Sequence, residues 1–377
     1  MTLGSQRELF EIPEGIVYLN CAYMSPLLRA AREAGEAGVA RKSQPWRITP
    51  PDFFSQSETA RSLFSGLVGG EPDGVAIVPS ASYGIGVAAA NIPLRPDQTI
   101  VLLEDLFPSN VYPWRDLAAR SGATIVTVPR PPDFDWTSAL LERVDERTGA
   151  VAVPQCHWTD GSLVDLRRVG ARVREVGAVL IVDATQSLGA HPFALDEIRP
   201  DFLVAAVYKW LLGPYSLGFL YVAPRFREGR PLEFNWITRE GSEDFARLAA
   251  YRDTYQPGAR RFDVGEHANF ALMPIAITAL QQILAWRVEQ IAASLSGLTA
   301  RIESEAARLG LAAVPAERRV GHLIGLRSPA FPSDLAARLA AAGVYVSLRG
   351  TSIRVSPHLY NTHDDVDRLF DVLAAAM

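Results

Sequence analysis

A single lysine, Lys209, lies near the middle of an otherwise apolar run at residues 201–222. Burying an amine among leucine, valine and alanine side chains costs free energy unless the protein neutralises the amine or uses it. Desolvation lowers the pKa of a lysine, and the neutral amine is the form that condenses with an aldehyde. The run therefore indicates Schiff-base chemistry at Lys209.

Two other interpretations of this run are open. Its length of about twenty residues is that of a membrane helix with a snorkelling lysine. Gly213 and Pro214 would interrupt such a helix, and a central lysine costs about 2.5–3.5 kcal/mol on insertion scales. Alternatively, Lys209 is an ordinary ion-paired residue at the end of a strand, since structural ion pairs also bury charge.

A carboxylate, Asp183, ends a second apolar run at residues 179–183. At the end of a strand it would lie at the carboxyl edge of a sheet, where open α/β sheets bind ligands. Asp183 precedes Lys209 by one strand and turn, so adjacent strand ends can present a carboxylate and an amine to one ligand. A carboxylate against a pyridine nitrogen keeps it protonated and makes the ring an electron sink. A turn-capping aspartate is the simpler alternative.

Three further segments carry groups that suit the same ligand. Ser80 and Ser82 follow a predicted strand and begin a helix, whose free N–H groups suit an anion. A plain serine N-cap produces the same pattern.

Phe107 follows another strand and can stack on a flat ring, although most such aromatics are core residues. Arg354, within a late strand, needs a carboxylate from the protein or from a substrate.

These residues fall within an alternation of short apolar strands and helices, which predicts an α/β fold with a mainly parallel sheet covered on both faces. The predicted strands are 75–78, 99–103, 124–128, 150–153, 179–183, 202–207 and 217–222, the last being a candidate antiparallel strand. Helices are predicted around 82–91, 110–120, 137–144 and 165–176.

The chain changes character after residue 265, where a long helical region at about 269–309 leads into a smaller β/α unit. That unit contains predicted strands at 322–326, 345–347 and 352–355, and helices at 332–342 and 362–375. We predict three parts: residues 1–45, which join the small domain; residues 46–265, the large ligand-binding domain; and residues 266–377, the linking helices and small domain.

Composition limits the class of protein. The 377 residues suit two lobes, and 48% hydrophobic with 21% charged residues is typical of a soluble protein. A net charge of −5 with interspersed signs gives no support for nucleic-acid binding. The chain has only two cysteines, Cys21 and Cys156, which favours a reducing compartment. Its N-terminus lacks the apolar core of a signal peptide, so we expect the protein in the cytoplasm. Without HExxH or CxxC spacing, we expect no metal site.

Together these features resemble the class V aminotransferases, fold-type I pyridoxal phosphate (PLP) enzymes that include cysteine desulfurases, selenocysteine lyases, kynureninase and isopenicillin N epimerase. The resemblance extends from YLNCA at 18–22 to YNTHDDVDRL at 360–369. Its most specific part is the ordered set of VDATQSLG, the Lys209 run and the terminal arginine strand. It implies a seven-stranded, mainly parallel sheet in the large domain, PLP, a small amino-acid substrate, and a homodimer with active sites near the subunit interface.

The resemblance also implies a role for each candidate residue. Lys209 would form the internal aldimine and carry the proton at the substrate α-carbon, and Asp183 would pair with the pyridine nitrogen. Around the cofactor, Gln186 would lie near the phenolic oxygen, Phe107 would stack on the ring, and the phosphate would be bound by the backbone of Ala81, by Ser82 and by Tyr208. Asp160 would lie near both the cofactor and the substrate. Arg354 would bind the substrate carboxylate, and the substrate entrance would be lined by Asn20, Ala22 and Tyr23.

Two departures from the family pattern point away from sulfur transfer. Desulfurases place a histidine at the stacking position, where this chain has Phe107. They also need a nucleophilic cysteine in the C-terminal lobe, and no cysteine follows Cys156.

Other departures alter expected contacts. Ala206 replaces a serine that contacts the phosphate, and Asp160 replaces an asparagine. An anion at Asp160 would repel a substrate carboxylate unless it is protonated or paired. Glu266 replaces a threonine that reaches the partner subunit's phosphate, so His267 or Asn269 would have to supply that contact.

We therefore expect a PLP-dependent enzyme that acts on a small amino acid through a Lys209 aldimine. The departures favour an aminotransferase, epimerase or C–X lyase over a persulfide-forming cysteine desulfurase. A catalytically inactive relative that serves as a binding or scaffold subunit is the alternative. The sequence leaves open which amino acid is bound and which of the three reactions follows.

Overall fold

Strands and helices alternate through most of the computed structural model, which describes residues 2–329, 331–349 and 351–377. The strands are β1 (Val17–Tyr18), β2 (Val75–Val78), β3 (Thr99–Leu103), β4 (Thr124–Val128), β5 (Thr148–Pro154), β6 (Val179–Asp183), β7 (Phe202–Ala206), β8 (Gly218–Val222), β9 (Ala312–Ala313), β10 (Ile324–Arg327), β11 (Val344–Tyr345), β12 (Ser347–Arg349) and β13 (Ser352–Val355). The helices are α1 (Arg29–Lys42), α2 (Ser55–Val68), α3 (Ala81–Asn91), α4 (Tyr112–Ser121), α5 (Trp136–Leu141), α6 (Leu166–Glu175), α7 (Leu195–Ile198), α8 (Leu272–Trp286), α9 (Val288–Arg308), α10 (Leu335–Ala341) and α11 (His363–Ala376).

A seven-stranded sheet with the order β2-β8-β7-β6-β5-β3-β4 forms the centre of the large unit. Neighbouring strands from β7 to β4 run parallel, and β8 runs antiparallel to both of its neighbours. Every residue of β2, β5 and β7 is buried, as expected for strands that are covered on both faces. The predicted mainly parallel sheet, with its antiparallel last strand, is confirmed.

The apolar run that contains Lys209 forms two strands and the turn between them. β7 and β8 pair antiparallel, with Ala206 opposite Gly218, and Lys209 lies in the connection between them. The membrane-helix interpretation of this run is therefore wrong. None of the helices within the described ranges is long and apolar enough to cross a membrane.

The long helical region predicted at 269–309 is confirmed, and it consists of two helices. α8 ends at Trp286 and α9 begins at Val288, because Arg287 adopts a left-handed backbone conformation with φ of 67°. Left-handed backbone is uncommon for a residue with a side chain, and an arginine gives no sequence signal for it.

The N-terminal segment contacts the smaller C-terminal unit. β1 pairs parallel with β11, and Asn20 forms a bridge to Ser356. The small unit contains a second sheet with the order β12-β13-β10-β9, in which all neighbours are antiparallel. The boundaries expected at residues 45 and 265 stay predictions. Met1, Ala330 and Gly350, which fall within the predicted parts, lie outside the described residues.

A buried ion pair joins α2 to the segment that precedes α8. Arg61 and Asp263 are only 1% and 2% exposed, and Nη1 of Arg61 donates to Oδ1 of Asp263 at 2.9 Å. Arg61 also donates to the carbonyl of Val75 at 2.6 Å, and Asp263 accepts from the amide of Ile77 at 2.7 Å. The pair is thus attached to β2, the strand that leads into α3.

We predict that Asp263→Asn lowers the free energy of unfolding by about 3–5 kcal/mol, because the buried charge of Arg61 would keep only the partly exposed Glu58 as a counter-ion. Urea denaturation followed by circular dichroism measures the change. Asp116→Asn is the matched control, since it removes an exposed pair with Arg120 (2.8 Å) and should cost less than about 0.5 kcal/mol. Equal costs for the two variants would contradict the prediction.

Candidate functional site

A cavity of about 340 Å³ lies at the carboxyl edge of the central sheet, a volume that suits a small ligand. Loops after β2, β3, β5, β6 and β7 form its walls. We call it the inner chamber; its lining includes Ser80, Ala81, Ser82, Phe107, Cys156, Trp158, Asp183, Gln186, Tyr208, Lys209 and Tyr215. An adjoining outer chamber shares six of these residues and adds Ala22, Tyr23, Met24, Arg349 and Arg354.

The amine of Lys209 is buried. Lys209 is only 6% exposed, and its Nζ lies 5.5 Å from the ring centroid of Phe107 and 5.4 Å from that of Tyr208. Within the described ranges no hydrogen bond or ion pair involves Nζ, so Lys209 is not an ordinary ion-paired residue. Burial lowers its pKa to about 8, against the opposing effect of the Asp183 carboxylate.

Asp183 is the last residue of β6, next to the strand that leads to Lys209. Its Oδ1 accepts a hydrogen bond from the amide of Thr185 at 3.0 Å, which is the capping contact considered above. Burial raises the pKa of the carboxyl, and the charge of Lys209 acts in the opposite direction. Because Asp183 and Lys209 line one chamber without forming a direct ion pair, a ligand can fit between them.

The N-terminus of α3 supplies free donors to the inner chamber. Ser80 caps the helix, and its Oγ accepts from the amide of Tyr83 at 3.1 Å, so the N-cap interpretation holds for this serine. Ser82 Oγ donates to Ser109 Oγ at 2.8 Å. Across the described structure, the amides of Ala81 and Ser82 donate to no acceptor, which leaves them free for an anion.

Gln186 connects the N-terminal segment to the site. Its Nε2 donates to the carbonyl of Ala22 at 3.1 Å, and its Oε1 accepts from Nε1 of Trp210 at 3.0 Å. The side chain lines both chambers, as its expected position near the ligand requires.

Arg354 lies on β13 and is almost wholly buried, with 1% of its surface exposed. Its Nη1 donates to the carbonyl of Trp158 at 2.9 Å, and its guanidinium lies 5.9 Å from that ring's centroid. No carboxylate pairs with it among the residues that the structure describes. Burial, reinforced by the charge of Arg349, lowers its pKa to about 10. The structural ion-pair interpretation of Arg354 is therefore wrong.

Asp160 is not placed as its predicted role requires. Its carboxylate lies 2.6 Å from Arg130 and 2.6 Å from Arg327, and it lines neither chamber. Although burial acts to raise it, the neighbouring His157 and Arg130 hold the pKa of Asp160 below its usual value. The expected repulsion of a substrate carboxylate does not arise, because this anion is already paired.

Asn20 also lies outside the two chamber linings, and its Oδ1 accepts from Ser347 Oγ at 2.7 Å. The two residues that were expected to compensate for Glu266 are engaged within their own chain. His267 Nδ1 bonds to Ser57 Oγ at 2.7 Å, and Asn269 Oδ1 accepts from the amides of Ala271 and Leu272 at the start of α8. Glu266 and Asn269 are both exposed, whereas His267 is buried.

Sequence reasoning missed three side chains that the fold brings to the chambers: Trp158, Tyr215 and Arg349. The ring of Tyr215 lies near that of Tyr208, with centroids 4.8 Å apart and planes tilted by 60°, and Trp158 meets Phe107 edge to face at 5.6 Å. For Arg349 a signal existed, because it precedes Arg354 across a short turn between two β-rich runs.

Solved structures define the class of fold to which this site belongs. A cysteine desulfurase from Thermococcus onnurineus superposes with a TM-score of 0.85 at 18% identity, covering 100% of this chain and 99% of its own. A mutant of C-DES with glycine covalently linked to its PLP cofactor gives a TM-score of 0.88 at 17% identity, covering 99% and 100%. Likeness at these identities shows a shared fold.

Residues 51–369 match the family model "Aminotransferase class-V", and the chain belongs to that family, as the sequence predicts. It is 28% identical to the uncharacterized aminotransferase YcbU of Bacillus subtilis, over 94% of this chain and 91% of the relative. It is 26% identical to isopenicillin N epimerase of Streptomyces clavuligerus, over 96% and 94%.

We predict that the reactivity of the Lys209 amine rises with pH through a midpoint near 8, because burial lowers its pKa from 10.5. Acetic anhydride labelling across pH, read by peptide mass spectrometry, measures the midpoint. Lys42, which is exposed, is the other lysine of the chain, so a Lys42→Arg background leaves Lys209 alone. Asp183→Asn should move the midpoint lower, since it removes the negative charge that favours the ammonium. A midpoint at the value of a free lysine peptide, about 10.4, would contradict the prediction.

Proposed function

We propose that this protein is a PLP-dependent enzyme of the class V aminotransferase family that acts on amino acids through Lys209. One observation carries the proposal: a buried amine, unpaired among the described residues, and a strand-end carboxylate line the same chamber. A condensing lysine must be able to lose its proton near neutral pH, and burial of Lys209 gives it that property.

The residues of the inner chamber fit PLP. The free amides of Ala81 and Ser82, at the start of α3, suit the phosphate. The Asp183 carboxylate suits the pyridine nitrogen, and the Phe107 ring provides an apolar face for the flat cofactor. Ala206 cannot supply the hydroxyl that relatives use, whereas Ser109 brings one to the same wall through its bond with Ser82.

When bound, PLP supplies an electron sink for the charge that develops at the substrate α-carbon. Asp183 holds a proton at the pyridine nitrogen and so strengthens that sink. The neutral Nζ of Lys209 takes the proton from the α-carbon and returns it. The rings of Phe107 and Tyr208, at about equal distances from Nζ, limit the access of water to it. Arg354 orients the substrate through its carboxylate.

We propose that the reaction is transamination, epimerisation or elimination of a C–X bond. All three begin with removal of the α-proton, and the atom or face that receives the proton next decides between them. Relatives named as an aminotransferase and as an epimerase support this range. Assays of one reaction mixture for keto acid, racemised amino acid and eliminated product distinguish the three.

Persulfide-forming desulfuration is not the activity that we propose. Both cysteines of the chain, Cys21 and Cys156, are free and buried, at 0% and 1% exposure. Burial raises the pKa of each thiol well above its usual value, which disfavours the thiolate that attacks sulfur.

We further propose a cytoplasmic homodimer. Exposed apolar side chains line a second surface cavity, with Val39 at 61% and Trp236 at 43% exposure. Glu266 and Trp236 line that cavity, so the segment that relatives direct toward a partner lies beside an exposed apolar surface. Two free cysteines fit a reducing compartment.

Borohydride reduction of the PLP-loaded protein should attach the cofactor to the peptide that contains Lys209, as read by mass spectrometry. Lys42→Arg should keep the label, whereas Lys209→Ala should lose it and lose about 10²-fold or more in turnover, since the proton carrier is gone. A folded protein that takes up no label would overturn the proposal and favour a scaffold role.

Incubation with L-cysteine should leave no added sulfur on either cysteine, because both thiols are buried and protonated. Intact-mass and peptide analysis after thiol alkylation measures this. The Cys156→Ala variant should match the wild type in any sulfide release, since the proposed reactions use no protein thiol. A persulfide on Cys156, or loss of sulfide release in the variant, would contradict the account.

A further inference from the structure

Two arginines line the outer chamber, and no carboxylate among the described residues pairs with either of them. Arg354 and Arg349 approach the same ring, with guanidinium carbons 5.9 Å and 5.6 Å from the centroid of Trp158. The Nε of each is buried without a hydrogen-bond partner. The Nη1 of Arg349 donates to the carbonyl of Leu348 at 2.9 Å, and neither arginine forms an ion pair within residues 2–329, 331–349 and 351–377.

The β12–β13 pairing fixes the relation between the two arginines. Ser347 lies opposite Arg354, and Arg349 lies opposite Ser352 in antiparallel register. Arg349 and Arg354 are therefore diagonal neighbours on one face of the two strands, a separation of about 7–8 Å between backbone positions. At that spacing two guanidinium groups can hold two carboxylates of one small molecule.

The surroundings of the two arginines are short of negative charge. Asp183 is the one acidic side chain among the described residues that line either chamber, and it belongs to the inner one. Arg130 and Arg327 differ from Arg349 and Arg354 in this respect, because both of them pair with the buried carboxylate of Asp160. The charge of Arg349 also disfavours the protonated form of Arg354, so the two repel each other until an anion arrives.

We propose that Arg354 and Arg349 bind different carboxylates of one substrate, which makes the substrate a dicarboxylic amino acid of the aspartate or glutamate type. This inference rests on the proposed function. Arg354 is the more buried and acts more strongly on the Lys209 amine, so it takes the α-carboxylate. Arg349, which is half-buried, takes the side-chain carboxylate. Arginine suits both positions because its planar fork matches a carboxylate.

The test titrates the PLP-loaded protein with L-aspartate and L-glutamate, and with the uncharged isosteres L-asparagine and L-glutamine, following cofactor absorbance. The acids should bind at least about 10-fold more tightly than their amides. Arg349→Gln should weaken binding of the acids by about 10- to 100-fold, as expected for loss of a charge-assisted bond, and change the amides by less than about 2-fold. Arg349→Lys should recover part of the loss.

Arg338→Gln is the matched control, since Arg338 is an exposed arginine of the same unit and pairs with Asp334. It should change none of the affinities. Equal weakening of acids and amides by Arg349→Gln would assign Arg349 to the α-carboxylate and overturn the proposal. Unchanged affinities in Arg349→Gln would overturn it as well. Circular dichroism and thermal unfolding confirm that each variant is folded.

A second readout separates failure of this inference from failure of the proposed function. If the wild type binds no PLP, the proposed function fails, and the arginine pair is tested on the cofactor-free protein. Succinate should then raise the unfolding temperature of the wild type more than propionate does, and Arg349→Gln should remove that difference. Equal effects of succinate and propionate on the wild type would overturn the dicarboxylate inference independently of the cofactor.

Discussion

The burial of the Lys209 amine, without an ion pair in the described structure, is the constraint on which the site depends. The lysine follows β7, whose residues are all buried, so the chain delivers the amine into a region with little water. A fixed carboxylate in direct contact would hold the amine in its ammonium form. Asp183 instead lies one strand away, which leaves the amine able to lose its proton and leaves space between the two groups.

The direction of the strands converts distant sequence positions into one site. β2, β3, β5, β6 and β7 all run toward the same edge, so the residues that follow them meet there. β8 begins at that edge because it runs antiparallel, and Tyr215 and Ser216 before it close the chamber. The small unit then brings Arg354 to the opening. Asp183 and Lys209 of the inner chamber therefore come from the large unit, and the two arginines of the outer chamber come from the small one.

The parts of this arrangement that depend on local pattern were predictable from the sequence. Apolar runs bounded by turn residues predict strand ends at 183 and 207, and the observed ends are Asp183 and Ala206. Parallel strands place such ends together. Asp160 was not predictable, because its partners Arg130 and Arg327 are distant in the chain, and only the fold shows that the carboxylate is already paired. The same is true of Arg287, whose left-handed backbone divides α8 from α9 without a glycine to signal it. For Arg349 the sequence offers a signal, two β-rich runs close together, but only the register of β12 and β13 shows that it lies beside Arg354.

The most direct test of the central claim, that Lys209 and Asp183 are the two poles of one cofactor site, is a crystal structure of the chain grown with pyridoxal phosphate. The account predicts continuous electron density from Nζ of Lys209 to the cofactor. It also predicts the ring nitrogen within hydrogen-bonding distance of the Asp183 carboxylate and the phosphate at the amides of Ala81 and Ser82. Cofactor density attached elsewhere, or a ring turned so that its nitrogen faces away from Asp183, would contradict it.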